Sequence, residues 1–112
     1  MKLSFAISLL AAASFAAFAQ QAMPRMVSAE PPNGKIGDVI AVSGENLQKP
    51  VVEKVYLTNG KDDLPVEVTE QTATSIKFKI PAKATGRMAV MVLTGGKDAK
   101  LIEQPVKVTI EQ

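Results

Sequence analysis

Ser75-Ile76-Lys77-Phe78-Lys79-Ile80 alternates polar and apolar residues at every step, the period of a strand with one buried face. The same period recurs in Val39-Ile40-Ala41-Val42-Ser43, where Ile40 and Val42 share a parity, and in Val106-Lys107-Val108-Thr109-Ile110. Val55 and Leu57 flank Tyr56, and Met88, Val90 and Val92 fall on one side of a further run. Strands are therefore expected near residues 26–30, 39–43, 54–58, 66–69, 75–80, 88–94 and 106–111. Turn signals separate many of them: Pro31-Pro32-Asn33-Gly34, Asn59-Gly60, residues 83–86 and Gly95-Gly96. Pro65 stands just ahead of the fourth run, where a missing N–H is tolerated. No window after residue 19 sustains a helical period, and Pro31, Pro50, Pro65, Pro81 and Pro105 cut the chain too finely for long helices. About seven short strands at this spacing predict an antiparallel β-sandwich.

The N-terminus follows a different pattern. Lys2 gives a positive start, residues 3–18 are almost wholly apolar, and Ala17-Phe18-Ala19 has the small-x-small form of a cleavage site. This is the layout of a secretory signal peptide, and the run is short for a membrane span. The expected organisation is a signal peptide over 1–19, a flexible leader over 20–25, and one sandwich domain over 26–112. Residence in the periplasm or outside the cell follows from it. There is no cysteine, hence neither a disulfide nor a thiol for lipid attachment, and stability must come from the apolar core and the strand ladders.

Charge adds little. Beyond residue 19 there are twelve Lys and Arg against eleven Asp and Glu, so the basic pI of about 9.0 rests on a small excess. Residues 20–70 carry five basic and eight acidic side chains, and residues 71–112 carry seven and three. Strands interleaved from the two halves would mix these on the surface.

Three stretches together resemble the IPT/TIG family of immunoglobulin-like domains. The first runs Val27-Ser28-Ala29-Glu30-Pro31 to Gly34 and Gly37, then Val39 to Gly44 and Asn46-Leu47. The second is Val55-Tyr56-Leu57. The third is Thr74-Ser75-Ile76-Lys77-Phe78-Lys79-Ile80-Pro81, followed by Gly86 and Val90-Met91-Val92. The resemblance extends from Met26 to Ile110 and implies an immunoglobulin-like sandwich with a non-catalytic role.

The residues themselves exclude most chemistry. Without histidine or cysteine the chain lacks the commonest general acid–base residue, His-based triads and the usual zinc ligands. Ser28, Ser43 and Ser75 stand in no nucleophile elbow. Asp62-Asp63 with Glu67 and Glu70 lacks the spacing of a calcium loop. Met23-x-x-Met26 and Met88-x-x-Met91 offer thioethers suited to Cu(I); Met88 and Met91, three apart in a strand, face opposite ways, whereas Met23 and Met26 straddle the end of the leader, where a chelate is open to them. Met88 is expected in the core and Met91 outward. Thr94-Gly95-Gly96-Lys97 departs from a phosphate loop at Met91 and Asp98, and is expected to be a hairpin in which both glycines supply positive φ. Gly34-Lys35-Ile36-Gly37 has the spacing of the RNA clamp of KH domains, yet prolines precede it and a β-rich run follows, where a KH loop joins helices. It is expected to be a sandwich corner: Gly34 relieves a turn after Asn33, Gly37 admits the chain to the second strand, and Gly44 ends that strand.

The expected function is an exported, non-catalytic IPT/TIG-like module that contacts a protein partner or a cell-envelope assembly through loops or an open edge strand. The alternative is a carbohydrate-binding module on cell-wall or extracellular polysaccharide, using the outward Tyr56 as its platform. No catalytic, cofactor-binding or metal-ligating residue is assigned, and nucleic acid is not expected as a partner.

Overall fold

The computed structural model describes residues 23–111. The expected signal peptide lies outside the described residues. The expected leader is described only from Met23, and its last residue, Arg25, already belongs to the first strand.

Nine strands follow one another without a helix among the described residues: β1 (Arg25–Glu30), β2 (Asn33–Lys35), β3 (Val39–Glu45), β4 (Val52–Thr58), β5 (Asp63–Pro65), β6 (Glu67–Gln71), β7 (Ser75–Lys79), β8 (Gly86–Thr94) and β9 (Leu101–Glu111). They form two sheets, β1-β3-β7-β6 and β2-β9-β8-β4-β5. Every pairing is antiparallel except β2 with β9, which run side by side in the same direction. The sandwich architecture is as the periodicity predicts, and the seven expected runs are all strands.

β2 and β5 are additions, each three residues long and each inside a segment that reads as turn. Gly34 is thus a buried strand residue opposite Ile110, not the relief of a turn. β9 is also longer than expected. Its first half was hidden by Pro105, which sits where β9 bulges: Ala89 and Met91 are two apart, while their partners Lys107 and Glu103 are four apart. A bulge leaves a residue outside the ladder, which suits a residue with no N–H to give.

The inward faces meet as the alternation requires. From the first sheet come Met26, Ile40, Val42, Ile76 and Phe78; from the second, Val55, Leu57, Met88, Val90, Val92, Val106, Val108 and Ile110. Leu47 and Ile80, on connections at opposite ends, close the core. Two glutamines join backbone across the sides. Gln104 Oε1 accepts from the Met26 N–H at 2.8 Å, tying β9 to β1. Gln71 Nε2 donates to the carbonyls of Leu47 and Val52 at 2.8 and 3.0 Å, tying β6 to the start of β4.

The Gly34–Gly37 stretch is a corner between sheets. Lys35 N–H donates to Asp38 Oδ2 and Gly37 N–H to the Ile80 carbonyl, both at 2.9 Å, and Gly37 takes φ +92°. Gly44 does not end its strand, which continues to Glu45. It is small because β1 presses on it at the bulge between Met26 and Ser28: a Cβ there would lie 2.0 Å from the Arg25 carbonyl oxygen.

Candidate functional site

Two concave surfaces stand out. The larger lies at the end of the sandwich where the β3–β4 and β8–β9 connections meet. Gly95 N–H donates to the Pro50 carbonyl at 3.0 Å, and a Cβ on Gly95 would stand 2.3 Å from that oxygen, so the two loops touch only because position 95 has no side chain. Thr94 brackets the hairpin: its N–H donates to the Lys100 carbonyl, and its Oγ1 accepts from the Lys100 N–H, both at 2.9 Å. Of the two glycines only Gly96 has positive φ, at +93°, which corrects the expectation for Gly95.

The cleft so formed has a volume of about 610 Å³. Met23, Pro50, Val51 and Ile102 give it apolar walls, and the β8–β9 hairpin adds the exposed Lys97, Asp98 and Lys100. Met23 is held there by its carbonyl, which accepts from Asn46 Nδ2 at 3.1 Å.

The second surface is the outer face of the five-stranded sheet. Register places Tyr56 between Pro65 and Met91, with Glu103 beyond Met91. The next row is Asp63, Thr58, Ala89 and Lys107. Ala89 is small among larger neighbours, and the dip over it, about 370 Å³, is lined by Thr58, Asn59, Gly60, Arg87, Glu103 and Lys107. Among the described residues the ion pairs are Lys49–Glu53 at 4.0 Å and Lys77–Glu70 at 3.7 Å, so none of Arg87, Glu103 and Lys107 is in one. These side chains are free to meet a ligand.

The residues singled out from sequence disperse. Asp63 accepts from the Thr58 hydroxyl in the second sheet, whereas Glu67 and Glu70 are in the first, opposite Lys79 and Lys77. Among the described residues no three Asp or Glu side chains gather as a metal-ligand set. Met23 is exposed and Met26 is fully buried, so they cannot chelate one ion. Met88 is in the core. Met91 has outward parity as expected but is buried, because Tyr56 and Glu103 flank it on the neighbouring strands. Tyr56 faces outward and is half-buried.

Arg87, Glu103 and Lys107 were not anticipated. The signal for Glu103 and Lys107 is the alternation through β9, which Pro105 interrupts, and that for Arg87 is its place ahead of the inward Met88 on β8. The apolar walls of the end cleft leave no pattern in sequence, because three separate segments supply them.

The IPT/TIG domain model matches residues 24–110. No curated protein matches the chain. Among solved structures, a structural genomics protein of unknown function from Bacteroides thetaiotaomicron VPI-5482 superposes with TM-score 0.67 at 20% identity, over 81% of this chain and 22% of that one. An auxiliary nutrient binding protein from Bacteroides ovatus ATCC 8483 gives 0.59 at 24% identity, over 81% and 21%. The SGBP-B protein of the Bacteroides ovatus mixed-linkage glucan utilization locus, in complex with a mixed-linkage heptasaccharide, gives 0.50 at 19%, over 76% and 23%. The chain thus spans under a quarter of each of these structures, and the similarity at this identity is one of fold.

Proposed function

The chain belongs to the IPT/TIG domain family, and from that premise we propose that it is an exported, non-catalytic binding module whose partner is a protein of the cell envelope. The end cleft carries this reading. Its apolar walls, half-buried at Val51 and Ile102 and exposed at Met23 and Pro50, beside the exposed charges of the β8–β9 hairpin, set apolar surface next to a polar margin as protein contacts do. Export rests on the signal pattern of residues 1–19, and the nutrient-binding and glucan-utilization neighbours support an envelope setting.

A photo-crosslinking residue at Lys97, on the cleft, is compared with one at Lys83, on the β7–β8 connection at the opposite end. In the producing cell position 97 is expected to capture a discrete protein and position 83 is not. Equal capture at both positions, or none at 97, defeats the reading.

A second reading has its own observation. Tyr56 lies on the outer sheet face one row from the polar dip over Ala89, and Arg87, Glu103 and Lys107 offer hydrogen-bonding groups to sugar hydroxyls. A solved neighbour holds a heptasaccharide. On this reading Tyr56→Ala abolishes retention on polysaccharide columns while the fold stays intact; unchanged retention, or none in the parent protein, removes it.

A further inference from the structure

Asn-Gly is the dipeptide in which a backbone nitrogen most readily attacks the preceding side-chain amide, because glycine places no side chain in the way. The chain has two, Asn33-Gly34 and Asn59-Gly60, and the fold treats them oppositely.

Asn33 and Gly34 are in β2, in register with Thr109 and Ile110 of β9. Asn33 Nδ2 donates to the Glu111 carboxylate, and Gly34 is buried. Both the backbone and the amide nitrogen that would have to leave are held.

Asn59 and Gly60 form the exposed β4–β5 turn. Asn59 Oδ1 accepts two backbone N–H groups, from Lys61 at 2.9 Å and Asp62 at 2.8 Å. A pair of fixed donors on a carbonyl oxygen stabilises the charge that grows there when its carbon is attacked. The attacking group is oriented as well. Gly60 N–H donates to Thr58 Oγ1 at 3.1 Å, and that hydroxyl donates to Asp63 Oδ1 at 2.7 Å. Thr58, the middle of the relay, is 5% exposed, while Gly60 and Asp63 on either side of it are open to solvent. Nucleophile, proton acceptor and oxyanion donors therefore surround one peptide bond, the arrangement that defines a reactive site.

We propose that Asn59-Gly60 is a self-modifying site that converts to aspartate or isoaspartate faster in the folded protein than in the free chain. The Gly60 nitrogen gives up its proton to Thr58 Oγ1 as the Thr58 hydroxyl proton passes to Asp63, and bonds to Asn59 Cγ. The Cγ–Nδ2 bond breaks, and Nδ2 leaves as ammonia with the proton returned by the relay, closing a succinimide. Water then opens the ring at either carbonyl. The product carries a new carboxylate beside Asp62 and Asp63, and isoaspartate also lengthens the main chain. Asn59 lines the dip over Ala89, so the reaction alters that surface with age.

The test is peptide mapping of purified protein incubated at one neutral pH, folded or in urea, with isoaspartate detection. Folding is expected to raise conversion at position 59 several-fold and to suppress it at position 33. Thr58→Val and Asp63→Asn, where circular dichroism shows the fold retained, are expected to bring position 59 down to its rate in urea, while Thr58→Ser keeps most of the rate. Conversion at position 59 no faster when folded than in urea overturns the proposal, as does an unchanged rate in folded Thr58→Val. If neither variant folds, the comparison of folded with denatured parent protein decides alone.

Discussion

At the scale of single residues, Gln104 shows how a polar side chain earns a place in an apolar face. It is 4% exposed, and the other inward residues of its strand are aliphatic. Its Oε1 accepts the Met26 N–H, a backbone donor that the bulge in β1 turns away from β3. Gln104→Leu keeps the size and leaves that N–H buried and unpaired, which costs about 1–3 kcal/mol. In urea titration the midpoint should fall with an unchanged slope; a midpoint equal to that of the parent would show the bond to be dispensable. Sequence gave no sign of this residue's role, since one Gln beside Pro105 looks like any loop. The outward parity of Tyr56 and the inward parity of Met88 were legible, because alternation fixes which face a side chain takes. The burial of Met91 was not, because it depends on which strands lie on either side.

At the scale of elements, the long alternating strands were legible and the three-residue ones were not. Asn33-Gly34-Lys35 and Asp63-Leu64-Pro65 are too short to show a period and are made of turn residues, so only pairing with β9 and β4 makes them strands. Both cover an edge of the second sheet and bring little exposed edge of their own. In the first sheet the outer strands β1 and β6 are each bulged, and β6 carries Glu67 and Glu70. Short, bulged, charged and proline-bearing edges resist addition of another strand. This weakens an open edge as the mode of contact and leaves loops and sheet faces. The protein should therefore sediment as a monomer, and Glu67→Val with Glu70→Val should make it self-associate through β6. Sedimentation that shows a strong dimer for the parent chain would contradict this.

At the scale of the whole molecule, the architecture could be read from residues and the candidate site could not. The core is a sum of local alternations, so each strand announced its share. The end cleft joins Met23, the β3–β4 connection and the β8–β9 hairpin, which are neighbours only after folding. The charge asymmetry between the two halves also disappears in space, with Lys79 opposite Glu67 and Lys77 paired to Glu70 across adjacent strands. The same topology sets a mechanical property. β1 and β9 both run from the end bearing Met23 to the end bearing Glu111, and the parallel β2–β9 pair joins the first part of the chain to the last. A pull on the two ends of the described segment therefore runs along the strands, and loads the β2–β9 and β1–β3 hydrogen bonds together in shear. Bonds strained in parallel must fail at once instead of one after another, so the domain is arranged to bear tension along its length.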